Sequence, residues 1–587
     1  MSSFLVKLQI FSNAQFWQRV LHSKLGLSLS SIALGLLATL GFAPYNMWVV
    51  SMVSLAFEFC LIASLKTKKQ VFFATLCYFT ALNTITLEWL NFVMVDFGGL
   101  PYIVSFSIET LFACYLAIFH AALATIAFKF SLQKYQAPIE EADEDSLEDD
   151  EEAVECADSS MMGSLIPQGI TQNYLFPILK MASGKEYRFF KNAFLLCFLP
   201  VALISADFII GWLFTGFPWM YFGYSVLEGP FSAYAPLMGV RGVSLILFIC
   251  AGSLALAIER RYIYLPLAGV LFLFGIFILG VKYTAPLPAV KVVGIQGNIE
   301  QSIKWDPRHT LPSIDKYINL SMPHFGTSDV IVWPESAMPV FFEQVKPLIA
   351  DMNKFAYQKD TAMLIGMQRV TPKRVSFNSM FLLGQSPNLE ELQTYDKRQL
   401  VPFGEVVPFA QYTRSLGSIF NFPMSSFTPG VYEQQQMHLK KQDLYLIPAL
   451  CYESIFPELM TSLHDDKTNG IIMISNDSWY GDTRGPQEHL AIAQMRSLEM
   501  QKPMIRVTNS GITAYINEKG EIVKRLDSNI DGVLEMDFVP TKGMTPYVRL
   551  GNIPLYIILL LLVSLGFYLR SQDQDERLAQ LKELIRP

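Results

Sequence analysis

Apolar windows of about 20 residues, the length a helix needs to cross roughly 30 Å of hydrocarbon, crowd the first 280 positions of this 587-residue chain and recur once near its end. Lipid offers no water to satisfy an open backbone, so such windows are confined to helices. Their approximate positions are 25–43, 46–65, 71–95, 102–128, 192–214, 236–257, 262–281 and 553–569, which reads as eight crossings. Composition agrees, because 51% of the residues are hydrophobic and only 17% charged, more apolar surface than a soluble fold of this length can cover. The expected organisation is a polytopic α-helical membrane bundle over residues 1–284, a globular domain over 285–550, and a last transmembrane helix with a tail over 551–587. No small-residue cleavage site follows the first window, so it is expected to stay as a span rather than leave as a signal peptide.

The net charge of −7 is local in origin. Residues 140–158 hold twelve acidic side chains and no Lys or Arg, and without them the chain is net positive. That run has no apolar periodicity and repels itself, so the stretch of about 135–185 is expected to be a disordered loop. Lys66, Lys68 and Lys69, then Lys129, Lys134, Lys185, Arg188 and Lys191, then Arg260 and Arg261, and finally Arg570 all fall on one side if the eight crossings alternate. By the positive-inside rule that side is the cytoplasm, with both termini and the acidic loop, and the 285–550 domain lies outside. The third window carries Asn83, Glu88, Trp89 and Asn91; an ionisable group inside a span suggests function, and a carboxyl hydrogen-bonded within the bundle near its outer end explains it equally well. Nucleic-acid binding is excluded by the lack of any basic stripe interleaved with aromatics. The seven histidines show no HExxH or other metal-ligand spacing, and no cofactor or metal is implied.

From Lys291 onward the texture changes to short β-rich runs separated by polar and helical stretches. KVVGIQGN, DVIVWPE, TAMLIGMQRV, SFNSMFLLG, LQTYDK, LYLIPALCYE, GIIMISND and PMIRVTNS are the main runs, and several are nearly continuous in Val, Ile and Leu, as strands buried on both faces are. QEHLAIAQMRSLEMQK reads as a helix among them, so an α/β domain of sheets layered with helices is expected. Three strand ends carry reactive groups: Glu335 after DVIVWP, Lys397 after LQTYD with Glu405 close behind, and Cys451 after LYLIPAL. Cys451 is the one cysteine between 285 and 550, so that domain has no disulfide framework and its thiol is either core filling or a nucleophile. A thiol with an ordinary pKa of about 8.5 is mostly protonated at neutral pH. It needs a base, for which Glu335 is placed, and a cation for the developing negative charge, for which Lys397 is placed. Taken singly, a Glu or Lys after a strand is ordinarily surface, and a lone Cys is ordinarily core.

Taken together, GIQGNIEQSIKWDP, VIVWPESAMPV, YDKRQLVPFGEVVPF, FPMSSFTPG, ALCYESIFPE and ISNDSWYGDTRGPQEHLAIAQMRSLEMQKPMIRVTNSGITA resemble the bacterial apolipoprotein N-acyltransferase family, within the nitrilase or carbon–nitrogen hydrolase superfamily. GFAPYN at 41–46, TGFPWMYFGYS at 215–225 and TPYVRLGN at 545–552 resemble its membrane part, so the likeness covers nearly the whole chain except the acidic run. The resemblance implies a nitrilase-like αββα sandwich above an eight-helix bundle in the bacterial inner membrane, with the catalytic domain on the periplasmic side. It implies a catalytic triad of Glu335, Lys397 and Cys451, with further functional positions at Glu405, Trp305, Tyr452, Glu453, Gly216 and Trp219. It also implies the chemistry: a phospholipid donates an acyl chain to Cys451, and the thioester passes it to the N-terminal diacylglyceryl-cysteine of an apolipoprotein. Two departures stand out. Arg398 and Gln399 follow the lysine where the family often has Asn-His, and Tyr480 stands where it often has Phe, which implies altered local contacts to substrate. A membrane-tethered amidase using the same triad is the nearest alternative, and a transporter or lipid-binding protein with an inactive outer domain is a more distant one.

Overall fold

The structure, a computed structural model, describes residues 23–134, 187–406 and 427–584. The acidic run at 140–158, the loop of about 135–185 around it, and most of FPMSSFTPG lie outside the described residues.

Every apolar window falls on helix. In chain order these are α1 (Lys24–Ala38), α2 (Trp48–Ala63), α3 (Lys68–Thr86), α4 (Glu88–Phe92), α5 (Tyr102–Phe130), α6 (Leu199–Ile210), α7 (Ala235–Ile258) and α8 (Leu265–Ile278). Among the described residues, five helices including the C-terminal one are long and apolar enough to cross a membrane alone, or six if a bent pair counts as one span. Trp48–Ala63 and Tyr262–Ile278 are apolar but shorter. The expected count of eight is therefore not fixed by length alone.

The third window, read above as one crossing over 71–95, is broken into α3 and α4, bent by 56°. The break sits at Leu87, whose φ of −101° and ψ of 18° leave the helical basin. The bend carries Glu88 to Arg484 of the globular domain, 3.4 Å away. Within the bundle, α5 buries a small-residue stripe of Ala113, Ala117, Ala121 and Ala124. Small side chains let membrane helices approach closely, which matters where lipid is as apolar as the partner. The outer faces of the bundle are correspondingly apolar, with Leu273 and Phe277 on α8 exposed.

The globular domain has four layers. Strands β1 (Val290–Gln296), β2 (Val330–Val332), β3 (Ala362–Val370), β4 (Ser376–Leu383) and β5 (Gln393–Asp396) belong to one sheet. Strands β6 (Met437–Leu439), β7 (Leu444–Leu450), β8 (Thr468–Ser475), β9 (Met504–Thr508), β10 (Thr513–Ile516) and β11 (Ile522–Leu526) form the second. The chain then returns through β12 (Gly532–Phe538), giving orders β12-β1-β2-β3-β4-β5 and β6-β7-β8-β9-β10-β11. The central strands β1, β2 and β3, and likewise β7, β8 and β9, are parallel.

Alternation sorts each strand between two cores. Val330, Val332, Leu364 and Leu382 face Leu446, Leu450, Ile472 and Ile474 between the sheets. Ile331, Met363 and Ile365 pack outward on Ile314 of α9 (Pro307–Ser321) and Ile349 of α10 (Lys346–Gln358). Ile447, Ile471 and Met473 pack on Leu490 and Ala493 of α11 (Gly485–Met500). This is the αββα sandwich expected.

The sandwich is not a satellite of the bundle. Tyr452, Ile455, Phe456, Tyr480, Ile492 and Met495 join the bundle's own apolar core. Glu499 of α11 accepts from the backbone N–H of Val240 in α7 at 2.7 Å, and the chain re-enters the bundle through α12 (Ile553–Leu584).

Candidate active site

The three reactive groups follow the C-terminal ends of β2, β5 and β7 and are buried together there. Glu335 follows β2 after Trp333 and Pro334. It approaches β3 so closely that a Cβ on Gly366 would lie 2.6 Å from the Glu335 Cα, so only glycine fits there. Lys397 directly follows β5, held by its backbone N–H donating to the Asn378 carbonyl at 2.8 Å. Cys451 opens the 3₁₀ turn Cys451–Ile455 directly after β7, in the left-handed region at φ +48°.

The site is closely bonded. Lys397 Nζ donates to Glu335 Oε1 at 3.0 Å and lies 2.9 Å from Glu405 Oε2. Asn378 Nδ2 donates to both carboxylates, at 2.7 Å to Glu335 and 2.8 Å to Glu405. The second oxygen of Glu335 accepts from the Asn476 backbone N–H at 2.9 Å. Burial alone would discharge Lys397, yet Glu335 and Glu405, with Cys451 nearby, hold its ammonium well above the ordinary lysine value. Burial pushes the Cys451 thiol up, Glu335 adds to this, and Lys397 opposes it. The resting arrangement is thus a neutral thiol beside a carboxylate and a fixed cation. The thiol loses its proton only when something nearby accepts it.

The supporting residues divide by what they hold. Glu453 ties two strand ends together: one carboxyl oxygen accepts from the Leu450 N–H at 2.8 Å, and the other from the Arg398 N–H at 2.7 Å and Tyr395 Oη at 2.9 Å. It fixes the segment carrying Lys397 against the segment carrying Cys451. Tyr452 donates its phenol to the Gly216 carbonyl at 3.1 Å, joining the turn that Cys451 opens to the bundle. Gly216 has φ +81°, and a Cβ there would meet the Gly211 carbonyl oxygen at 2.2 Å, so both conformation and space require glycine. Trp219 donates to Glu488 at 2.8 Å and lies among Trp89, Phe217 and Tyr480. Trp305 ends the short helix Gln301–Lys304 and directs a buried indole N–H that has no partner among the described residues.

Sequence reasoning missed several neighbours. Asn378 bridges both carboxylates from the middle of β4; an amide inside a strand that is otherwise largely apolar was the available signal. Lys304 is buried, with Nζ 3.4 Å from the Glu335 carbonyl, and burial drives it down to about 7 against the pull of Glu335. Asp477, His489 and Arg506 form a buried cluster beneath Cys451, although the sequence shows no Ser–His–Asp grouping. Arg398, expected to alter substrate contacts, is instead consumed internally by Tyr395, Ser462 and the Leu459 and Tyr432 carbonyls. Gln399 reaches the Thr215 carbonyl of the bundle at 2.9 Å.

Comparison with known proteins agrees with this geometry. The family model for the apolipoprotein N-acyltransferase N-terminal domain matches residues 34–139 and 165–253, and that for carbon–nitrogen hydrolase matches 291–541. The apolipoprotein N-acyltransferase of Vibrio cholerae serotype O1 is 32% identical, covering 94% of this chain and 98% of the relative. Those of Vibrio parahaemolyticus serotype O3:K6 and Shewanella oneidensis are 31% and 32% identical, covering 94% and 92% of this chain and 99% and 95% of their own lengths. Among solved structures, an amidase from Nesterenkonia sp. covers 47% of this chain and 97% of its own, at 14% identity and a TM-score of 0.32, a likeness that carries no weight in the assignment. A membrane bundle and a carbon–nitrogen hydrolase domain in this order, matched to named relatives over nearly their full length, place the chain in the apolipoprotein N-acyltransferase family.

Proposed function

We propose that this inner-membrane acyltransferase takes an acyl chain from a phospholipid onto Cys451 and passes it to the α-amino group of an N-terminal diacylglyceryl-cysteine on an apolipoprotein. The observation that carries this is the buried Glu335–Lys397–Cys451 cluster set against the bundle, with Tyr452 bonded to Gly216. In the first step Glu335 takes the thiol proton as sulfur attacks the ester carbonyl, and Lys397 donates to the oxyanion. Collapse of the adduct expels the lysophospholipid oxygen, which takes the proton back from Glu335. In the second step the acceptor amine attacks the thioester, Glu335 takes its proton, and the thiolate leaves and is reprotonated. Glu405 and Asn378 hold Lys397 and Glu335; Trp305, whose indole N–H has no partner among the described residues, is the aromatic group that would meet lipid-borne substrate, and Trp219, buried and bonded to Glu488, braces the bundle against the sandwich.

Cells depleted of their own enzyme of this type and supplied with this chain are the direct test. Mass spectrometry of their lipoprotein N-termini is expected to show an added N-acyl chain. Lipoproteins that keep a free amine, in cells holding the chain at normal membrane levels, would refute the reading.

We infer further that residues 285–550 lie outside the cytoplasm. Lys191 pairs with Glu259 at 2.6 Å, beside Arg260 and Arg261. Arg570 at the far part of α12 donates to the Phe130 carbonyl at 2.8 Å, beside Lys129. The basic clusters therefore gather at the bundle end away from the sandwich, which supports a cytoplasmic position for that end. In otherwise cysteine-free chains in intact spheroplasts, an impermeant thiol reagent is expected to label Lys373→Cys and to spare Arg261→Cys until the membrane is opened. The opposite pattern would invert the topology.

A further inference from the structure

Cys451 holds a left-handed backbone conformation at φ +48°, which a residue bearing a Cβ keeps only where its surroundings over-determine it. The surroundings here are specific. The Cys451 carbonyl oxygen lies 3.2 Å from His489 Nε2 and accepts from Ser454 Oγ at 3.0 Å. Ser454 Oγ is also 3.1 Å from the same ring nitrogen. Across the ring, His489 Nδ1 lies 3.2 Å from Arg506 Nη2 and 3.1 Å from Asp477 Oδ1. Arg506 Nη2 donates to Asp477 Oδ2 at 2.6 Å, and Ser475 Oγ donates to Asp477 Oδ1 at 2.5 Å. The side chains of His489, Asp477 and Arg506 are wholly buried. Trp219 from the bundle stacks on the His489 ring at 5.6 Å, and Tyr480 meets it edge-on at 5.8 Å.

We propose that His489 is a positioning residue for acyl transfer: its Nε2 bond to the Cys451 carbonyl holds the left-handed turn that aims Sγ at the Glu335–Lys397 pair, and Arg506 with Asp477 holds the ring. The inference rests on the reading of Cys451 as the nucleophile. The proposal puts the ring proton on Nε2, donating to the carbonyl, so that Nδ1 accepts from Arg506 while Asp477 is held by Arg506 and Ser475 rather than by the ring. Burial drives His489 below its ordinary value, with Arg506 adding and Asp477 opposing, so the ring carries a single proton. Burial opposes ionisation of Asp477 as well, yet Arg506 beside it holds its carboxyl far below the usual range. A guanidinium fixed on Asp477 then orients a neutral imidazole. That arrangement differs from a cysteine–histidine proton relay, because the contact is to the backbone carbonyl of Cys451.

The test compares His489→Gln, His489→Asn and Cys451→Ala in phospholipid vesicles, following the initial rate of acyl-thioester formation against phospholipid concentration. The two His489 variants both lose the imidazole but differ in where the amide nitrogen lands. In Gln it reaches the Nε2 position facing the Cys451 carbonyl, and in Asn it reaches only the Nδ1 position. His489→Asn is expected to lose roughly 10–100-fold in maximal acylation rate, the scale of a small misplacement of a reacting group, with the half-saturating phospholipid concentration nearly unchanged. His489→Gln is expected to recover most of that rate and to keep the wild-type pH profile, since the imidazole moves no proton. Because the comparison is a ratio between two folded-core variants, a shared loss of thermal stability leaves it readable. The proposal is overturned if His489→Asn acylates at the wild-type rate, if the two variants fall equally, or if the Gln profile shifts in pH. An adduct or transfer from Cys451→Ala would instead sink the nucleophile assignment itself, a separately visible result.

Discussion

Cys451→Ala is expected to abolish both acyl transfer and the acyl–enzyme adduct, since removing a covalent nucleophile has cost roughly 10⁶ in kcat where measured. The wild-type protein, given phospholipid and no acceptor, should accumulate one acyl group on Cys451, released by neutral hydroxylamine as thioesters are. Burial and the adjacent Glu335 keep the resting thiol neutral, with Lys397 only partly compensating. With Glu335 as the proposed base, sulfur becomes nucleophilic as its proton leaves, and Cys451→Ser should form an oxygen ester slowly if at all, because an alcohol resists deprotonation far more. Adding a diacylated lipopeptide should discharge the adduct in a second step and give ping-pong kinetics. The same experiment separates transfer from hydrolysis. A thioester lost to water at the rate seen with acceptor would support the membrane-tethered amidase, and transfer at a normal rate without any adduct would end the covalent mechanism.

How much of this was legible in the sequence depends on how local each determinant is. The sandwich was legible because strands such as LYLIPAL and GIIMIS are apolar on both faces, and α11 because QEHLAIAQMRSLEMQK is helical in character throughout. Glu335, Lys397 and Cys451 were legible as reactive groups at strand ends, and Cys451 stood out as the one thiol of a polar domain. Their meeting was legible only through the family resemblance and not from spacing, since it depends on β2, β5 and β7 ending at one edge of two sheets. Asp477 and His489 are twelve positions apart and look like an ordinary loop and helix; they meet because the turn after β8 folds back under α11. The break at Leu87 escaped notice because no Gly or Pro marks it, and the bend is accompanied by a contact from Glu88 to Arg484 in the other domain. Arg398 was misread for a similar reason. As a departure from the family's pattern it implied altered contacts to substrate, whereas its guanidinium is held by neighbours brought in from β5 and the segment after Cys451.

Glu335→Gln and Lys397→Met should each leave a folded protein with most activity gone, for different reasons. Glu335 accepts from Lys397 and Asn378 on one oxygen and from the Asn476 N–H on the other. An amide there loses the proton acceptor and sets its own N–H₂ against one of those donors, so a loss of about 10²–10⁴-fold is expected across the whole pH range. Lys397→Met removes the oxyanion donor, worth about 10²–10³-fold in comparable sites. It also leaves Glu335 and Glu405 without the ammonium they share, with Asn378 still donating to both. Glu405→Gln provides the internal comparison: it keeps an oxygen toward Lys397 while removing one of the two charges that hold the ammonium in place. It should cost less than either of the other two changes. An active Glu335→Gln beside an inactive Glu405→Gln would exchange the roles of the two carboxylates and make Glu405 the base.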